Sequence, residues 1–136
     1  MFQEIIVAID GSVMSEKALQ VAFSIAKGLH SNITLVHVRK EFLPYAVGDE
    51  LEQAIKNEVE ELLNEAKDQG KSRGIDVKIL YLTGDPARQI VDHINHAAYD
   101  LVVIGNRGLS NFEEMLLGSV SHKISQLASC PVLIVK

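Results

Sequence analysis

Five short apolar runs alternate with four longer helical patterns, and this alternation limits the fold more than any other feature of the sequence. The runs cover residues 4–9, 33–38, 77–82, 101–104 and 132–135. They are rich in β-branched residues and bounded by turn residues, as strands are. Because they are continuously apolar, both faces of the sheet should be covered. Strands that alternate with helices need crossover connections, so the sequence predicts a doubly wound α/β domain with a five-stranded parallel sheet and helices on both faces.

Local signals place several helix ends. Asp85 followed by Pro86 predicts a helix start, since aspartate caps well and proline fits the first helical position. Ser15 is predicted to cap the first helix, and Gly70 and Gly74 are predicted to end the second. The connection over residues 39–48 contains proline and glycine, which argues against regular structure there.

Length and composition indicate a single globular domain over residues 1–136, with no second domain. The net charge is −5, from 18 acidic and 13 basic residues, which disfavours nucleic acid as a partner. The acids concentrate in residues 49–65, which we interpret as a solvated helix surface. No apolar run approaches the roughly 20 residues that span a bilayer. A single cysteine, Cys130, permits no intrachain disulfide and favours a cytoplasmic protein, with Cys130 as a packing residue.

Three glycines mark the segment after the fourth apolar run: Gly105, Gly108 and Gly118. In open parallel sheets, ligands collect at the carboxyl ends of strands near the point where the strand order reverses. Gly105 and Gly108 can adopt positive φ, and without a Cβ they let the backbone approach a ligand. The helix that follows Gly118 would present free amides, with the hydroxyls of Ser119 and Ser121 as further donors, so a phosphate is the expected ligand. The P-loop and dinucleotide-binding motifs are absent from the sequence.

The glycine spacing resembles a known signature. Gly105, Gly108, Gly118 and Ser119 form the pattern G-x₂-G-x₉-G-S, which is similar to the ATP-binding signature of the universal stress protein family. The resemblance covers nearly the whole chain. It includes IIVAIDGSVMSEKAL near the start, LVHV in the second strand, GDPARQIV, YDLVVIGNRG, LLGSVSHKI and the final SCPVLIVK.

The resemblance implies a Rossmann-like sheet in the strand order 3-2-1-4-5. It also implies a homodimer in which the final strands, Val132–Val135, pair across a two-fold axis; a hydrophobic edge strand is an aggregation hazard if left bare. ATP, with Mg²⁺ as a possible companion, is the implied ligand. The resemblance implies that three residues contact the ribose and adenine: Ala8, Asp10 and Val38, the last through its backbone. It implies that the phosphates are held by Gly105, Asn106, Arg107, Gly108, Gly118, Ser119, Val120 and Ser121.

The sequence leaves more than one role open for several side chains. Asp10 could bond a ribose hydroxyl, help to hold Mg²⁺, or cap the turn at Gly11. Arg107 could reach phosphate oxygens or be solvated. Lys123 is expected at the surface, and His122 is a weak candidate contact. His93 and His96 share a helical face without a convincing third ligand, so we predict no metal site, and His37 is expected to be packed and hydrogen-bonded.

No catalytic group stands out in the sequence. Phosphoryl transfer normally recruits Lys, Arg or a metal, and Ser119 has no histidine partner at motif spacing. The leading hypothesis is therefore an ATP-binding regulatory protein of the stress-response type, with no or slow hydrolysis, in which the nucleotide orders the loop over residues 105–118. One alternative is a nucleotide-free dimeric scaffold. The other is an adenylating-type enzyme, although such enzymes carry an S-G-G-x-D-S loop where this chain has Asp10, Gly11 and Ser12.

Overall fold

The computed structural model describes residues 1–40, 48–108 and 117–136. Within these ranges, nine elements follow one another in strict alternation: β1 (Glu4–Ala8), α1 (Val13–Leu29), β2 (Asn32–Arg39), α2 (Asp49–Ser72), β3 (Val77–Thr83), α3 (Pro86–His96), β4 (Leu101–Gly105), α4 (Ser119–Leu127) and β5 (Val132–Val135). The predictions about an irregular connection at 39–48 and a nucleotide-ordered loop at 105–118 fall largely on residues 41–47 and 109–116, which lie outside the described residues.

The sheet is five-stranded and parallel throughout, in the order β3-β2-β1-β4-β5. This confirms the predicted fold class, and the observed strands differ from the predicted runs by a residue or less at each end. From β1 the chain adds β2 and β3 on one side and then crosses to β4 on the other, so the strand order reverses between β1 and β4. The carboxyl ends of β1 and β4 therefore flank the crevice in which ligands of doubly wound sheets bind.

Two hydrophobic cores cover the two faces of the sheet. One packs α1 and α2 against residues that include Ile5, Val7 and Leu35, and it contains the fully buried Phe23. The other packs α3 and α4 against residues that include Ile6 and Val102. β1 contributes alternate residues to each, because successive side chains of a strand point to opposite faces. The continuous apolar runs in the sequence are thus explained by burial on both sides.

The start of α1 corrects one prediction. Ser12, not Ser15, is the N-cap: its Oγ accepts from the Ser15 amide at 3.1 Å. Ser15 is the third helical residue, and its own hydroxyl donates back to the Ser12 carbonyl oxygen at 3.1 Å. Both serines are buried. The pair therefore satisfies its own buried polar groups, which would be costly to leave unpaired, and caps the helix.

The end of α2 corrects another. Gly70 lies inside the helix and is buried, and a Cβ there would collide with Val77 and crowd the Phe23 ring. Gly70 therefore permits close packing of α2 on the sheet rather than ending the helix. Gly74, with φ +74°, follows the cap residue Arg73 and confirms the other half of the prediction. The predicted start of α3 is also confirmed, since Asp85 accepts from the Arg88 amide at 3.0 Å with Pro86 as the first helical residue.

The acidic segment and Cys130 behave as predicted. The acidic residues of α2 are exposed along its outer side. Cys130 packs at the margin of the second core, and burial, followed by the nearby Asp100 charge, raises the pKa of its thiol. A thiol with a raised pKa stays protonated at neutral pH, which is the state of a packing residue. Among the helices of the described ranges, none is long and apolar enough to cross a membrane.

Candidate functional site

The candidate site lies where three chain segments meet at the carboxyl edge of the sheet. One segment follows β1, another follows β4, and the third is the amino end of α4. β1 and β4 are adjacent parallel strands, with Val7 opposite Val103. Asn106, directly after β4, is bonded to the amino end of α4 through Gly118. The strand order thus brings together residues that are more than 100 positions apart in sequence.

Asp10 forms the turn after β1. Its Oδ1 accepts from the Ser12 amide at 2.9 Å, and Gly11 between them has φ +83°. The turn-capping role considered for Asp10 is therefore present in the structure. The second carboxylate oxygen, Oδ2, faces Gly108 on the neighbouring loop. Capping by one oxygen leaves the ligand-contact role of the other open.

Gly105 does not use the positive φ that is available to a glycine. None of the three glycines of the motif, Gly105, Gly108 and Gly118, has a positive φ. A Cβ on Gly105 would instead lie 2.8 Å from the backbone carbonyl carbon and oxygen of Met14. The absence of a side chain there lets the first turn of α1 pack directly on the end of β4. This glycine is thus required by helix–strand packing, and it sets the distance between the two loops of the site.

Gly108 makes room for Asp10. A Cβ built on Gly108 would lie 2.6 Å from Asp10 Oδ2. That oxygen belongs to a carboxylate that is already held by the Ser12 amide. The two loops therefore touch through a glycine on one side and an anchored carboxylate on the other.

We predict that Gly108→Ala and Asp10→Ala are coupled. Alone, Gly108→Ala should displace the Asp10 carboxylate from Ser12 and lower the free energy of unfolding by about 1 kcal/mol, the net value of one hydrogen bond. In an Asp10→Ala background the obstructing oxygen is absent, so the same substitution should cost much less. Urea unfolding of the wild type, both single variants and the double variant measures the coupling. Additive effects would show that the two loops do not touch as described.

The amino end of α4 is the most distinctive feature of the site. Gly118 is the N-cap, with φ −65° and ψ 157°, and no side chain in the described part of the chain caps the helix. The first amide to bond within the helix is that of His122, which donates to the Gly118 carbonyl oxygen at 2.9 Å. The amides of Ser119, Val120 and Ser121 precede it. Such amides, with the partial positive charge of the helix end, form an anion-binding arrangement.

The hydroxyls near this helix end differ in availability. Ser119 is exposed. Ser121 is only 2% exposed, and its hydroxyl is already engaged: Oγ lies 3.0 Å from the Asn106 carbonyl oxygen and 3.1 Å from that of Gly118. The contribution that we expected from the Ser121 hydroxyl to a ligand therefore falls to its backbone amide. Val120 is half-buried against the second core.

The remaining predicted residues are placed as follows. Ala8 and Val38 lie near the carboxyl ends of β1 and β2 and pack against the same core, on the α3–α4 face. Asn106 is half-buried, and its Oδ1 has no hydrogen-bond partner within the described ranges. Arg107, His122 and Lys123 are exposed. Lys123 is thus at the surface, as predicted.

Three other histidines, His37, His93 and His96, form hydrogen bonds within the protein. His37 Nδ1 lies 2.7 Å from the Ile9 carbonyl oxygen and its ring packs on Tyr81, as predicted. His93 Nε2 lies 2.9 Å from the Tyr99 hydroxyl, and His96 Nδ1 lies 2.6 Å from the Asp92 carbonyl oxygen. No group of three or more metal-binding side chains occurs within residues 1–40, 48–108 and 117–136.

Two residues important to the site were not anticipated from sequence. Ser12 was detectable, because serine after Asp10 and Gly11 and before an apolar periodic segment is a strong N-cap candidate. Met14 was not, since its relevance lies in its backbone contact with Gly105, 91 positions away. No local pattern signals such a contact.

Comparison with known proteins agrees with the geometry. The sequence model of the universal stress protein family matches residues 1–136. Universal stress protein YxiE of Bacillus subtilis is 39% identical, and the alignment covers 100% of both chains. A universal stress protein solved in complex with cAMP has a TM-score of 0.77 and 26% identity, covering 98% of this chain and 97% of its own. The universal stress protein of Archaeoglobus fulgidus in complex with dAMP has a TM-score of 0.72 and 25% identity, covering 100% of both.

The family match spans the described elements and the segments between them, and the structure has the strand order that the resemblance implied. On this evidence, the chain belongs to the universal stress protein family.

Proposed function

We propose that this protein binds an adenine nucleotide, with its phosphates at the amino end of α4, and acts as a nucleotide-dependent regulatory protein. The observation that carries the proposal is the helix end itself. Three successive amides, those of Ser119, Val120 and Ser121, precede the first intrahelical bond, and no described side chain caps them. A phosphate placed there would satisfy these donors and complement the helix dipole.

The energy available from this arrangement is sufficient for useful affinity. A hydrogen bond to a charged oxygen contributes about 1.5–3 kcal/mol, and a micromolar complex needs about 8 kcal/mol. Three amides and the exposed Ser119 hydroxyl would supply much of that total, and contacts to the nucleoside would add to it. Arg107 is exposed directly after Asn106, and its planar guanidinium would add a further charged donor to a phosphate.

The nucleoside would lie over the ends of β1 and β2. Ala8 and Val38 are half-buried on the same face of the sheet and offer an apolar surface for a base, with the Val38 backbone as a polar contact. Asp10 Oδ2 is left to bond a ribose hydroxyl, because Oδ1 is held by Ser12. Support for an adenine base comes from the related proteins that were solved with cAMP and with dAMP.

ATP is the nucleotide that we assign, on the signature formed by Gly105, Gly108, Gly118 and Ser119. We assign Mg²⁺ as the companion of the triphosphate, with the carboxylate of Asp10, which faces Gly108, as the group that would help to hold it. We assign a regulatory role with no or slow hydrolysis, because the described residues offer no arrangement that would activate a water beside the terminal phosphate.

Calorimetric titration tests this function. Adenosine, AMP, ATP and GTP should be titrated separately, each nucleotide with and without Mg²⁺. We expect affinity to rise from adenosine to AMP as the helix amides become engaged, ATP to gain further from Mg²⁺, and GTP to bind at least tenfold more weakly than ATP. Binding of none of the adenine compounds at millimolar concentration would refute the proposal.

A dimeric scaffold is the second candidate, and the exposed edge of β5 favours it. Val132, Leu133 and Ile134 are only half-buried in the single chain, and among the described strands β5 has a neighbour on one side only. A hydrophobic edge strand of this kind is normally covered. We propose that β5 pairs with its copy in a homodimer, with or without nucleotide. Analytical ultracentrifugation of the wild type and of Leu133→Lys tests this: the wild type should sediment as a dimer and the variant as a monomer.

A further inference from the structure

We propose that Ser121 is a positioning residue for phosphate binding: its buried hydroxyl holds the amino end of α4 against the loop after β4, so that the helix amides face the phosphate. The inference rests on the proposed nucleotide site and assigns Ser121 a role distinct from direct contact through its hydroxyl. Direct contact would require a hydroxyl that is accessible to the ligand, and this one is turned inward.

The contacts of Ser121 support this role. Its side chain is 2% exposed, and Oγ lies within hydrogen-bond distance of the carbonyl oxygens of Asn106 and Gly118, at 3.0 and 3.1 Å. A hydroxyl has a single proton to donate, so the two carbonyls share it. One of them belongs to the loop and the other to the N-cap of the helix. The hydroxyl therefore links the two backbone segments that would have to stay aligned around a phosphate.

The loop end of this link is itself anchored to the sheet. The Asn106 amide donates to the Val135 carbonyl oxygen of β5 at 2.8 Å, and its carbonyl oxygen accepts from the Gly118 amide at 2.6 Å as well as from Ser121. The amino end of α4 is thus linked to β5 through the backbone of Asn106. The helix could rotate about the Gly118 hydrogen bond if that were the only link, and the hydroxyl of Ser121 supplies a second bond that fixes its direction.

Removal of the hydroxyl should leave the fold intact. In Ser121→Ala the Asn106 carbonyl oxygen keeps the Gly118 amide, and the Gly118 carbonyl oxygen keeps the His122 amide. No buried carbonyl loses its last donor, so the large penalty for an unpaired group does not arise. What is lost is the restraint on the helix end, and with it the alignment of amides for a charged ligand.

Ser125→Ala is the matched control. Ser125 lies one turn further along the same helix and also donates from its hydroxyl to a backbone carbonyl, that of His122, at 2.6 Å. It is exposed, and its hydroxyl bonds within its own helix, whereas that of Ser121 reaches Asn106 after β4. The two variants therefore remove equivalent groups from the same helix, and only one of them touches the site.

Two measurements test the proposal. In calorimetry, Ser121→Ala should weaken ATP about tenfold, the equivalent of one hydrogen bond, while adenosine should change less than twofold. In the ligand-free protein, hydrogen exchange at the Gly118 and His122 amides should be about tenfold faster in Ser121→Ala. Ser125→Ala should match the wild type in both.

The outcomes separate the positioning role from its rivals. Equal weakening of ATP and adenosine would mean a general structural role, and unchanged ATP affinity would mean that the hydroxyl does not position the amides; either overturns the inference. If wild-type protein bound neither compound, the proposed function would fail. The phosphate-positioning role would fail with it, and exchange would then decide only whether the hydroxyl holds the helix end, which unchanged rates at Gly118 and His122 would disprove.

Discussion

Gly105→Ala is expected to lower the free energy of unfolding by about 3 kcal/mol, the upper part of the range for overpacking of a close-packed interior. The added methyl would lie 2.8 Å from backbone atoms of Met14. A backbone cannot turn aside as a side chain can, so α1 must shift away from β4. Because α1 begins immediately after the Asp10 turn, the shift should also separate the two loops of the site. Thermal and urea unfolding measure the loss of stability, and nucleotide titration measures the loss of the site.

Gly28→Ala is the control for this prediction. Gly28 lies in α1 near its carboxyl end, and a Cβ there meets nothing within 4 Å. Alanine is the better helix former, so this variant should be more stable than the wild type by up to about 1 kcal/mol. Opposite signs for the two substitutions would support the packing role of Gly105. A Gly105→Ala variant as stable as the wild type would contradict the close approach of α1 to β4.

Gly118→Val should abolish nucleotide binding while the protein stays folded. Even a single Cβ at this position lies 3.3 Å from the Asn106 carbonyl oxygen and 3.3 Å from Ser121 Oγ. A branched side chain would therefore open the contact between the loop and α4 and occupy space in front of the helix amides. Loss of two hydrogen bonds to a charged oxygen corresponds to about 3–6 kcal/mol, so we expect ATP affinity to fall at least 100-fold in calorimetry.

Gly48→Val provides a close match for that substitution. Gly48 is the N-cap of α2, with φ −73° and ψ 158°, and it also lacks a side-chain cap bond. A Cβ at Gly48 meets no atom of the described residues within 4 Å. Both variants carry the cost of valine at an N-cap, about 1 kcal/mol, but only Gly118→Val should lose the nucleotide. Equal affinity of the two variants for ATP would remove the α4 end from the account.

The fold was accessible from sequence because its signals are periodic. Apolar runs and helical patterns predicted all five strands and four helices, and Asp85 with Pro86 marked the start of α3 correctly. Where two serines stood near one helix start, the pattern alone did not separate the cap, Ser12, from the third helical residue, Ser15. The strand order followed from the family resemblance, since periodicity does not specify which strands are neighbours.

The site was harder to predict than the fold, because its glycines are required for different reasons. The sequence left both positive φ and close approach to a ligand open at Gly105 and Gly108, whereas the structure shows close approaches to Met14 and Asp10. A glycine that accepts a neighbouring segment looks the same in sequence as one that adopts an unusual conformation. Likewise, the sequence presents Ser121 as a free donor, and only the packed structure shows its hydroxyl bonded to Asn106.

The central claim is that the phosphates of an adenine nucleotide bind at the amino end of α4, and backbone amide chemical shifts during ATP titration test it most directly. The account predicts that the largest changes occur at Ser119, Val120 and Ser121, with smaller changes at Asp10 and Val38. Saturable changes confined to other parts of the chain, such as the acidic face of α2, would contradict it, as would a spectrum that ATP leaves unchanged.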